Sequence, residues 1–81
     1  MKSRSMRYGR AFGRVLRHYR KLAGLSQEQL AEIADLDRTY PSLLERGLRI
    51  PTLTVIFVLA RAVGIHPTQM VEEVERELRR Q

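Results

Sequence analysis

The chain has 81 residues, of which 15 are lysine or arginine and 9 are aspartate or glutamate, and its formal net charge is +6 at pH 7. This length allows one small domain around one modest hydrophobic core. Because the sequence contains no cysteine, a disulfide framework and a thiolate metal site are both excluded. No apolar run reaches the length of a membrane span, so we expect a cytoplasmic protein with no membrane partner. No motif indicates a cofactor, a metal or a small-molecule ligand.

Basic residues are concentrated in the first third of the chain, where no acidic residue occurs. They are Lys2, Arg4, Arg7, Arg10, Arg14, Arg17, Arg20 and Lys21. Between residues 28 and 49 five acidic residues outnumber three basic ones, and from residue 50 onward there are four of each. A basic segment suits a polyanion such as nucleic acid, but a solubilising charge run would have the same composition.

The first predicted helix runs from about Gly9 to Ala23. Residues 1–8 show no periodicity, and we expect them to form a flexible basic arm ahead of a single domain at 9–81. Arginines occupy the face opposite an apolar stripe, so this helix should pack on the core through one side only. The stripe consists of Phe12, Val15, Leu16, Tyr19, Leu22 and Ala23.

The segment 25–47 predicts two short helices joined by a tight turn. Ser26 precedes an apolar periodic run and is followed three residues later by Gln29, a capping-box pattern that predicts a helix over about 27–34. Asp35 interrupts the pattern, and an aspartate can adopt the left-handed conformation that such a turn requires. Each helix is too short to be stable alone, so both depend on a surrounding bundle.

The second helix of this pair is predicted over about 38–46. Asp37 is its expected N-cap, and Gly47 is its expected C-terminal stop. With Asp37 as the cap, Pro41 would occupy the fourth helical position, where its missing N–H removes the first intrahelical bond. Because that loss is confined to the first turn, we expect a shifted or tightened start and not a broken helix.

Two further helices are predicted at about 52–80. The first begins at the Thr52 cap and is apolar on nearly every side, with Thr54 and Arg61 as its only polar interior positions. A helix of this kind must be buried on both sides. One side is the domain core, and the other is most simply a second subunit. The residues predicted to form this dimer interface are Val55, Val58, Ala62, Val71 and Val74.

This arrangement resembles the Cro/repressor-type helix-turn-helix family, the XRE-like regulators, which includes phage repressors and the controller proteins of restriction–modification systems. The motifs that carry the resemblance are Leu25-Ser26-Gln27, Leu30-Ala31 and Leu44-Glu45-Arg46-Gly47. It extends over about residues 10–70, although Asp35 replaces the usual glycine and Pro41 replaces a more common β-branched residue. The resemblance implies an all-α, five-helix, lambda-repressor-like fold, in which helix 3 enters the major groove of double-stranded DNA.

The same resemblance implies a structural pair between helix 1 and helix 3. In this family an arginine five residues before Leu-Ser-Gln pairs with the glutamate of Leu-Glu-Arg-Gly. These residues are Arg20 and Glu45 in this chain. We therefore expect a bidentate guanidinium–carboxylate pair that clamps helix 1 to the end of helix 3.

The resemblance also assigns the residues that face DNA. Because the first turn of helix 3 faces the groove in this fold, the candidates for contact with base edges are Arg38, Thr39 and Ser42. Arg38 has the donors to bond the O6 and N7 atoms of guanine. The candidates for contact with the DNA backbone are Gln27 at the start of helix 2, Tyr40 through its hydroxyl, and Arg46 and Arg49 near the following loop.

These features predict a sequence-specific regulator of transcription that acts as a homodimer on an inverted-repeat operator. An enzyme is not expected, because the sequence shows no nucleophile–base pair, no metal cluster and no glycine-rich phosphate loop. Regulation would either block RNA polymerase or activate it by contact, and the sequence does not decide between the two. The alternative function is a protein-interaction module, such as an antitoxin or an adaptor, that binds another protein through helices 4 and 5.

Overall fold

The computed structural model describes residues 2–81, with side chains from Met6 onward. Within these residues the chain forms five α-helices and no β-strand, which confirms the fold class and the number of helices predicted from the sequence. The helices are α1 (Lys2–Leu22), α2 (Gln27–Ala34), α3 (Tyr40–Glu45), α4 (Leu53–Val63) and α5 (Pro67–Arg80). None of these helices alone has the length and apolar character to cross a membrane, and α4 and α5 meet that criterion only as a pair bent by 104°.

The first helix is longer than the sequence predicts. It begins at Lys2 and not at about Gly9, so residues 2–8 of the predicted arm are part of this helix, and Met1 lies outside the described residues. Lysine, arginine and methionine all favour a helix, and this stretch contains no proline. The guanidinium of Arg7 also donates a hydrogen bond of 3.2 Å to the carbonyl oxygen of Leu78. A cation is favoured there by the dipole at the C-terminal end of α5.

The core lies where the five helices converge, with α1 packed against α3 and α5, and α2 packed against α3 and α4. Its buried residues are Phe12, Val15, Leu16, Leu30, Ala34, Leu44, Leu59, Ala60, Val63 and Met70. Leu22 and Ala23, at the end of the stripe predicted for the first helix, are exposed instead, and Ile33 in α2 is exposed as well. The buried arc of α2 is centred between Leu30 and Ala31, which leaves Ile33 at its outer edge.

Two glycines allow α1 to lie directly against the end of α3 and the loop that follows it. Gly9 and Gly13 are both buried. A Cβ atom at Gly13 would lie 2.5 Å from the carbonyl oxygen of Leu44 and 2.6 Å from that of Glu45. Glycine inside a helix costs roughly 0.5–1 kcal/mol relative to alanine. The close approach of the two backbones accounts for glycine at this position.

Gly13→Ala should destabilise the fold even though alanine is the better helix former. The added methyl group would overlap backbone oxygens of α3, and such overpacking costs about 1–3 kcal/mol. Urea denaturation followed by circular dichroism measures the loss. Arg17→Ala, at an exposed position of the same helix, is the control and should change the free energy of unfolding by less than about 0.5 kcal/mol. A Gly13→Ala protein as stable as the wild type would show that α1 and α3 do not need this contact.

Candidate nucleic-acid interface

The helix α2 begins at a complete capping box and ends in a left-handed residue. The Ser26 hydroxyl accepts a hydrogen bond of 3.0 Å from the N–H of Gln29, and Gln29 Oε1 accepts one of 2.8 Å from the N–H of Ser26. Both bonds satisfy amides that the first turn of a helix leaves unpaired. Asp35 ends the helix with φ 57° and ψ 47°. The start of α2 and the conformation of Asp35 are therefore as predicted.

The helix α3 begins later than the sequence predicts. Its first residue is Tyr40 and its N-cap is Thr39, so Arg38 lies in the preceding turn and Asp37 is not the N-cap. The cause is the Asp37 carboxylate, which accepts the Thr39 hydroxyl at 2.5 Å and the Thr39 N–H at 2.9 Å. These bonds lower the pKa of Asp37 from its ordinary value of 3.8. The turn is therefore stabilised above that pH and loosens as the pH falls through the lowered value.

Pro41 shortens α3 without breaking it. With Thr39 as the N-cap, Pro41 is the second residue of the helix, where an N–H has no intrahelical partner. The proline ring is almost completely buried and fills part of the core. The predicted shift of the helix start is confirmed, and it places Pro41 where the missing N–H removes no intrahelical bond.

The C-terminal end of α3 is closed by Gly47. The Gly47 N–H donates to the carbonyl oxygen of Leu44 at 3.0 Å, and the Leu48 N–H donates to that of Leu43 at 2.9 Å. This Schellman pairing requires a left-handed residue, and Gly47 has a φ of 74°. The predicted stop at Gly47 is confirmed, and it fixes the direction in which the loop towards α4 leaves the helix.

A buried ion pair joins α1 to the end of α3. Arg20 Nε donates to Glu45 Oε2 at 2.6 Å and Arg20 Nη2 donates to Oε1 at 3.0 Å, which is the bidentate geometry expected for this pair. Arg20 Nη1 donates to the carbonyl oxygen of Leu25 at 2.8 Å. The side chains of Arg20 and Glu45 are only 11% and 3% exposed. Hydrogen bonding to Glu45 raises the pKa of Arg20, so stability from this group is lost only above the usual arginine range.

Gln27 belongs to the same network. Its amide Nε2 donates to Glu45 Oε1 at 3.0 Å, and the residue is half-buried. The predicted phosphate contact therefore involves a side chain that Glu45 already holds in place. Because a glutamine amide carries two N–H donors, one bond to Glu45 leaves a second donor for an anion.

The three candidates for base contact lie at the start of α3. Arg38 and Thr39 are exposed, whereas Ser42 is half-buried. Across the turn, Arg38 Nη2 donates to the carboxylate of Glu28 on α2. Both side chains of this ion pair are largely exposed, so solvent and salt screen it. Arg38 is therefore held beside α2 by an interaction that it can readily exchange for another.

The candidates for backbone contact near the end of α3 differ in their freedom. Arg46 and Arg49 are exposed, and among the side chains from Met6 onward no carboxylate pairs with either. Arg46 Nε makes one long hydrogen bond of 3.4 Å to the carbonyl oxygen of Ser42. Tyr40 is half-buried and packs against the core. The two arginines thus present their charges to solvent, while packing restricts the movement of Tyr40.

The two short helices and their tight turn lie within the part of the chain that matches a known family. A family model described as a helix-turn-helix domain matches residues 11–74. The chain belongs to the helix-turn-helix domain family. This membership places the protein among DNA-binding regulators and not among enzymes, and it confirms the resemblance that the motifs indicate. Within the helix-turn-helix, α2 is the first helix and α3 is the second.

Relatives of this helix-turn-helix protein include control proteins. The chain is 50% identical over 49 residues to Control protein C.SmaI of Serratia marcescens, covering 60% of this chain and 58% of that protein. It is 37% identical over 67 residues to Control protein C.MunI of Mycoplasma sp, covering 82% of this chain and 90% of that one. The crystal structure of the restriction-modification controller protein C.AhdI from Aeromonas hydrophila is similar with a TM-score of 0.73 and 44% identity. That match covers 76% of this chain and 94% of C.AhdI.

Three residues that support the site, Glu28, Gly9 and Gly13, have roles that the sequence does not reveal directly. Glu28 lies close to Arg38 only in the folded helix-turn-helix. The two residues are ten positions apart, and no local sequence pattern predicts that they pair. The glycines do give a signal, since two glycines four residues apart lie on the same face of a helix and allow another backbone to approach closely. These residues position the predicted site and do not extend it.

Arg20→Ala should destabilise the helix-turn-helix strongly, because the Glu45 carboxylate would stay buried without its cation. Breaking a buried pair in this way costs about 3 kcal/mol or more. For a domain of this size each kcal/mol lowers the Tm by roughly 4–8 °C. Thermal denaturation measures the change, and Arg17→Ala removes an equal charge from an exposed position as the control. An unchanged Tm in Arg20→Ala would mean that the ion pair is not a structural clamp.

Proposed function

We propose that the chain is a sequence-specific regulator of transcription that binds double-stranded DNA as a homodimer on an inverted-repeat operator. The observation that carries the proposal is the exposed start of α3, where Arg38 and Thr39 lie beside α2 in a helix-turn-helix fixed to α1 by a buried ion pair. Control would depend on occupancy of the operator, which either blocks RNA polymerase or brings the regulator into contact with it. The protein would act in the cytoplasm, on the nucleoid. The similarity to control proteins supports this function.

Sequence discrimination would come from the start of α3. Bidentate donation from Arg38 to the O6 and N7 atoms of guanine contributes about 1–3 kcal/mol of discrimination. Leaving Glu28 costs less, because exposed ion pairs contribute only about 0–1 kcal/mol. The Glu28 carboxylate also repels phosphate, so Arg38 gains less from an arbitrary position on the DNA backbone. The pair therefore favours the correct base over non-specific binding.

The neighbouring residues suit shorter contacts. The Thr39 hydroxyl is engaged with Asp37, which leaves the Thr39 methyl group for apolar contact with a thymine methyl. Ser42, one turn along, offers a hydroxyl to either a base or the backbone. Gln27, Arg46 and Arg49 would bind phosphates and supply affinity that does not depend on sequence, as would the hydroxyl of Tyr40.

The proposed dimer surface lies on the outer faces of α4 and α5. The exposed apolar residues there are Leu53, Phe57 and Val71, at 69%, 42% and 49% exposure. A groove of about 330 Å³ on one side of Phe57 is bordered by Arg61. A second groove of about 250 Å³, on its other side, is bordered by Glu72 and Glu75. In a two-fold dimer each contact occurs twice, so Arg61 can face the partner's acidic groove while Phe57 packs against the partner.

This surface differs from the interface predicted from the sequence. Four of the predicted residues are partly buried against the protomer's own core, namely Val55, Val58, Ala62 and Val74. Val71 is the predicted residue that remains exposed. Because α4 is apolar on nearly every side, its composition does not show which side the core covers. The proposed interface therefore moves to the side of α4 that carries Leu53 and Phe57.

A dimer also fits the dimensions of the domain. The domain measures 31 × 22 × 20 Å, and half-sites one turn of DNA apart are separated by roughly 34 Å. A single protomer with one α3 reads one half-site. Two copies joined side by side through α4 and α5 can bring two α3 helices to adjacent turns of the major groove.

Arg38→Ala should relax the base preference at one position of each half-site by about 1–3 kcal/mol. The reason is the loss of the bidentate contact with guanine. The base preference at the other positions of the half-site should therefore be unchanged. Competition binding with single-base operator variants measures the change. Arg79→Ala is the matched control, since it removes an equal charge from an exposed pair on α5. Equal weakening on every sequence would instead assign Arg38 to the DNA backbone.

Phe57→Glu should convert the dimer to a monomer. Placing a carboxylate in the centre of an apolar contact should weaken association by about 2 kcal/mol or more, which is roughly 30-fold. Sedimentation equilibrium over a concentration series measures the effect. Leu22→Glu, at another exposed apolar position, should leave the oligomeric state unchanged. A stable dimer in Phe57→Glu would contradict this interface. A wild-type protein that is monomeric and does not bind DNA would favour the alternative function of an adaptor or antitoxin.

A further inference from the structure

We propose that α1 contributes a phosphate-binding site for the DNA backbone through Arg10, beside the loop that follows α3. The proposal rests on the proposed function, because it requires DNA to be bound through α3 and this loop. Arg10 precedes the residues 11–74 that match the helix-turn-helix family model. The contact would therefore come from a residue of α1 that lies just outside the matched segment.

Backbone packing fixes Arg10 against the loop. A Cβ atom at Gly47 would lie 2.9 Å from Cγ and 3.1 Å from Cα of Arg10, so the two residues are in van der Waals contact. A Cβ atom at Gly9 would lie 3.1 Å from the carbonyl oxygen of Gly47 and 3.5 Å from that of Arg49. The position of Arg10 next to the loop is thus set by the fold and not by a flexible segment.

The charge of Arg10 is exposed and is not neutralised by a described side chain. Three other arginines of α1 have partners, since Arg7 bonds to Leu78 O, Arg14 to Glu77 and Arg20 to Glu45. From Met6 onward, no carboxylate forms an ion pair with Arg10. Arg46 and Arg49 lie on the two sides of Gly47 in the chain and are likewise without a carboxylate partner there. Their positive potentials add at this corner of the molecule.

Charged side chains in a groove between α1 and the end of α5 add to the positive potential around Arg10. The groove has a volume of about 460 Å³ and is lined by Arg10, Arg14, Glu77, Arg80 and Gln81. Its carboxylate, Glu77, is shared by Arg14 at 3.2 Å and Arg80 at 3.9 Å. Among the side chains that line the groove, three guanidinium groups outnumber one carboxylate, which leaves an excess of positive charge. If the DNA backbone binds the loop at Arg46 and Arg49 and runs on past Gly47, its next phosphate would lie beside the guanidinium of Arg10.

The test compares the salt dependence of operator binding for Arg10→Ala and Arg17→Ala. Arg17 is an exposed arginine on the same side of α1, about 10 Å further along the helix axis, and removing it changes the net charge equally. Each phosphate contact contributes about 0.9 to the slope of log K against log salt concentration, so losing one contact in both subunits should lower the slope by about 1.8. The affinity advantage of the wild type over Arg10→Ala should then shrink about tenfold between about 50 and 200 mM KCl.

Arg17→Ala should keep the wild-type slope, and Arg10→Lys should restore most of it because the charge is retained. Thermal denaturation should show only a small loss of Tm in Arg10→Ala, because the guanidinium is exposed and only the contact of Cγ with Gly47 is lost. A slope in Arg10→Ala equal to that of Arg17→Ala overturns the proposal. Arg49→Ala distinguishes failure of the Arg10 site from failure of the proposed function. If Arg49→Ala lowers the salt slope and Arg10→Ala does not, only the Arg10 site is rejected. A wild type without selective, salt-dependent DNA binding would reject the proposed function itself.

Discussion

The carboxylate of Glu45 holds together the three helices on which the proposed DNA contacts depend. It accepts two hydrogen bonds from Arg20 on α1 and one from Gln27 at the start of α2, and it lies in the last residue of α3. A buried ion pair is weak evidence of net stability, because desolvation offsets much of the attraction. Its geometric effect is clearer. The six-residue α3 is too short to hold its own orientation, and this network fixes it relative to α1 and α2.

Contacts made by acidic side chains also explain a charge distribution that looks unfavourable for DNA binding. The segment between residues 28 and 49 is slightly acidic, although it contains the helix that would read the major groove. Three of its five acidic residues are engaged in the structure: Glu45 with Arg20, Glu28 with Arg38 and Asp37 with Thr39. Each of these acidic side chains is bound to a neighbouring residue, so it holds part of the proposed DNA-binding surface in place and is not left as an unpaired negative charge. The basic residues beside the motif would supply the general attraction to phosphate.

Local patterns were sufficient for most of the fold. The capping box at Ser26, the left-handed Asp35 and the glycine stop at Gly47 each follow from the chemistry of one or a few residues. The start of α3 was not predictable in the same way, because the Asp37 carboxylate competes with the helix for the Thr39 N–H. The Arg20–Glu45 pair was accessible only through the family resemblance, since no local rule connects residues 25 positions apart.

Surfaces were harder to predict than helices. Composition shows that α4 is apolar all round, but only packing shows that Val55 and Ala62 contact the protomer's own core while Phe57 remains exposed. For the same reason, the α1 arginines form one basic run in the sequence and become distinct in the fold. Arg20 is buried, Arg14 is paired, and Arg10 lies free of a described carboxylate beside the loop.

Selection of bound sequences from a random double-stranded DNA pool would test whether two copies of α3 read a symmetric DNA site. The mass of the protein–DNA complex should be measured on the enriched sequence. We expect an inverted repeat whose half-sites are centred roughly 34 Å apart, bound by two protomers. No enrichment by the folded protein, or an asymmetric site bound by one protomer, would contradict this expectation and direct the search towards a protein partner.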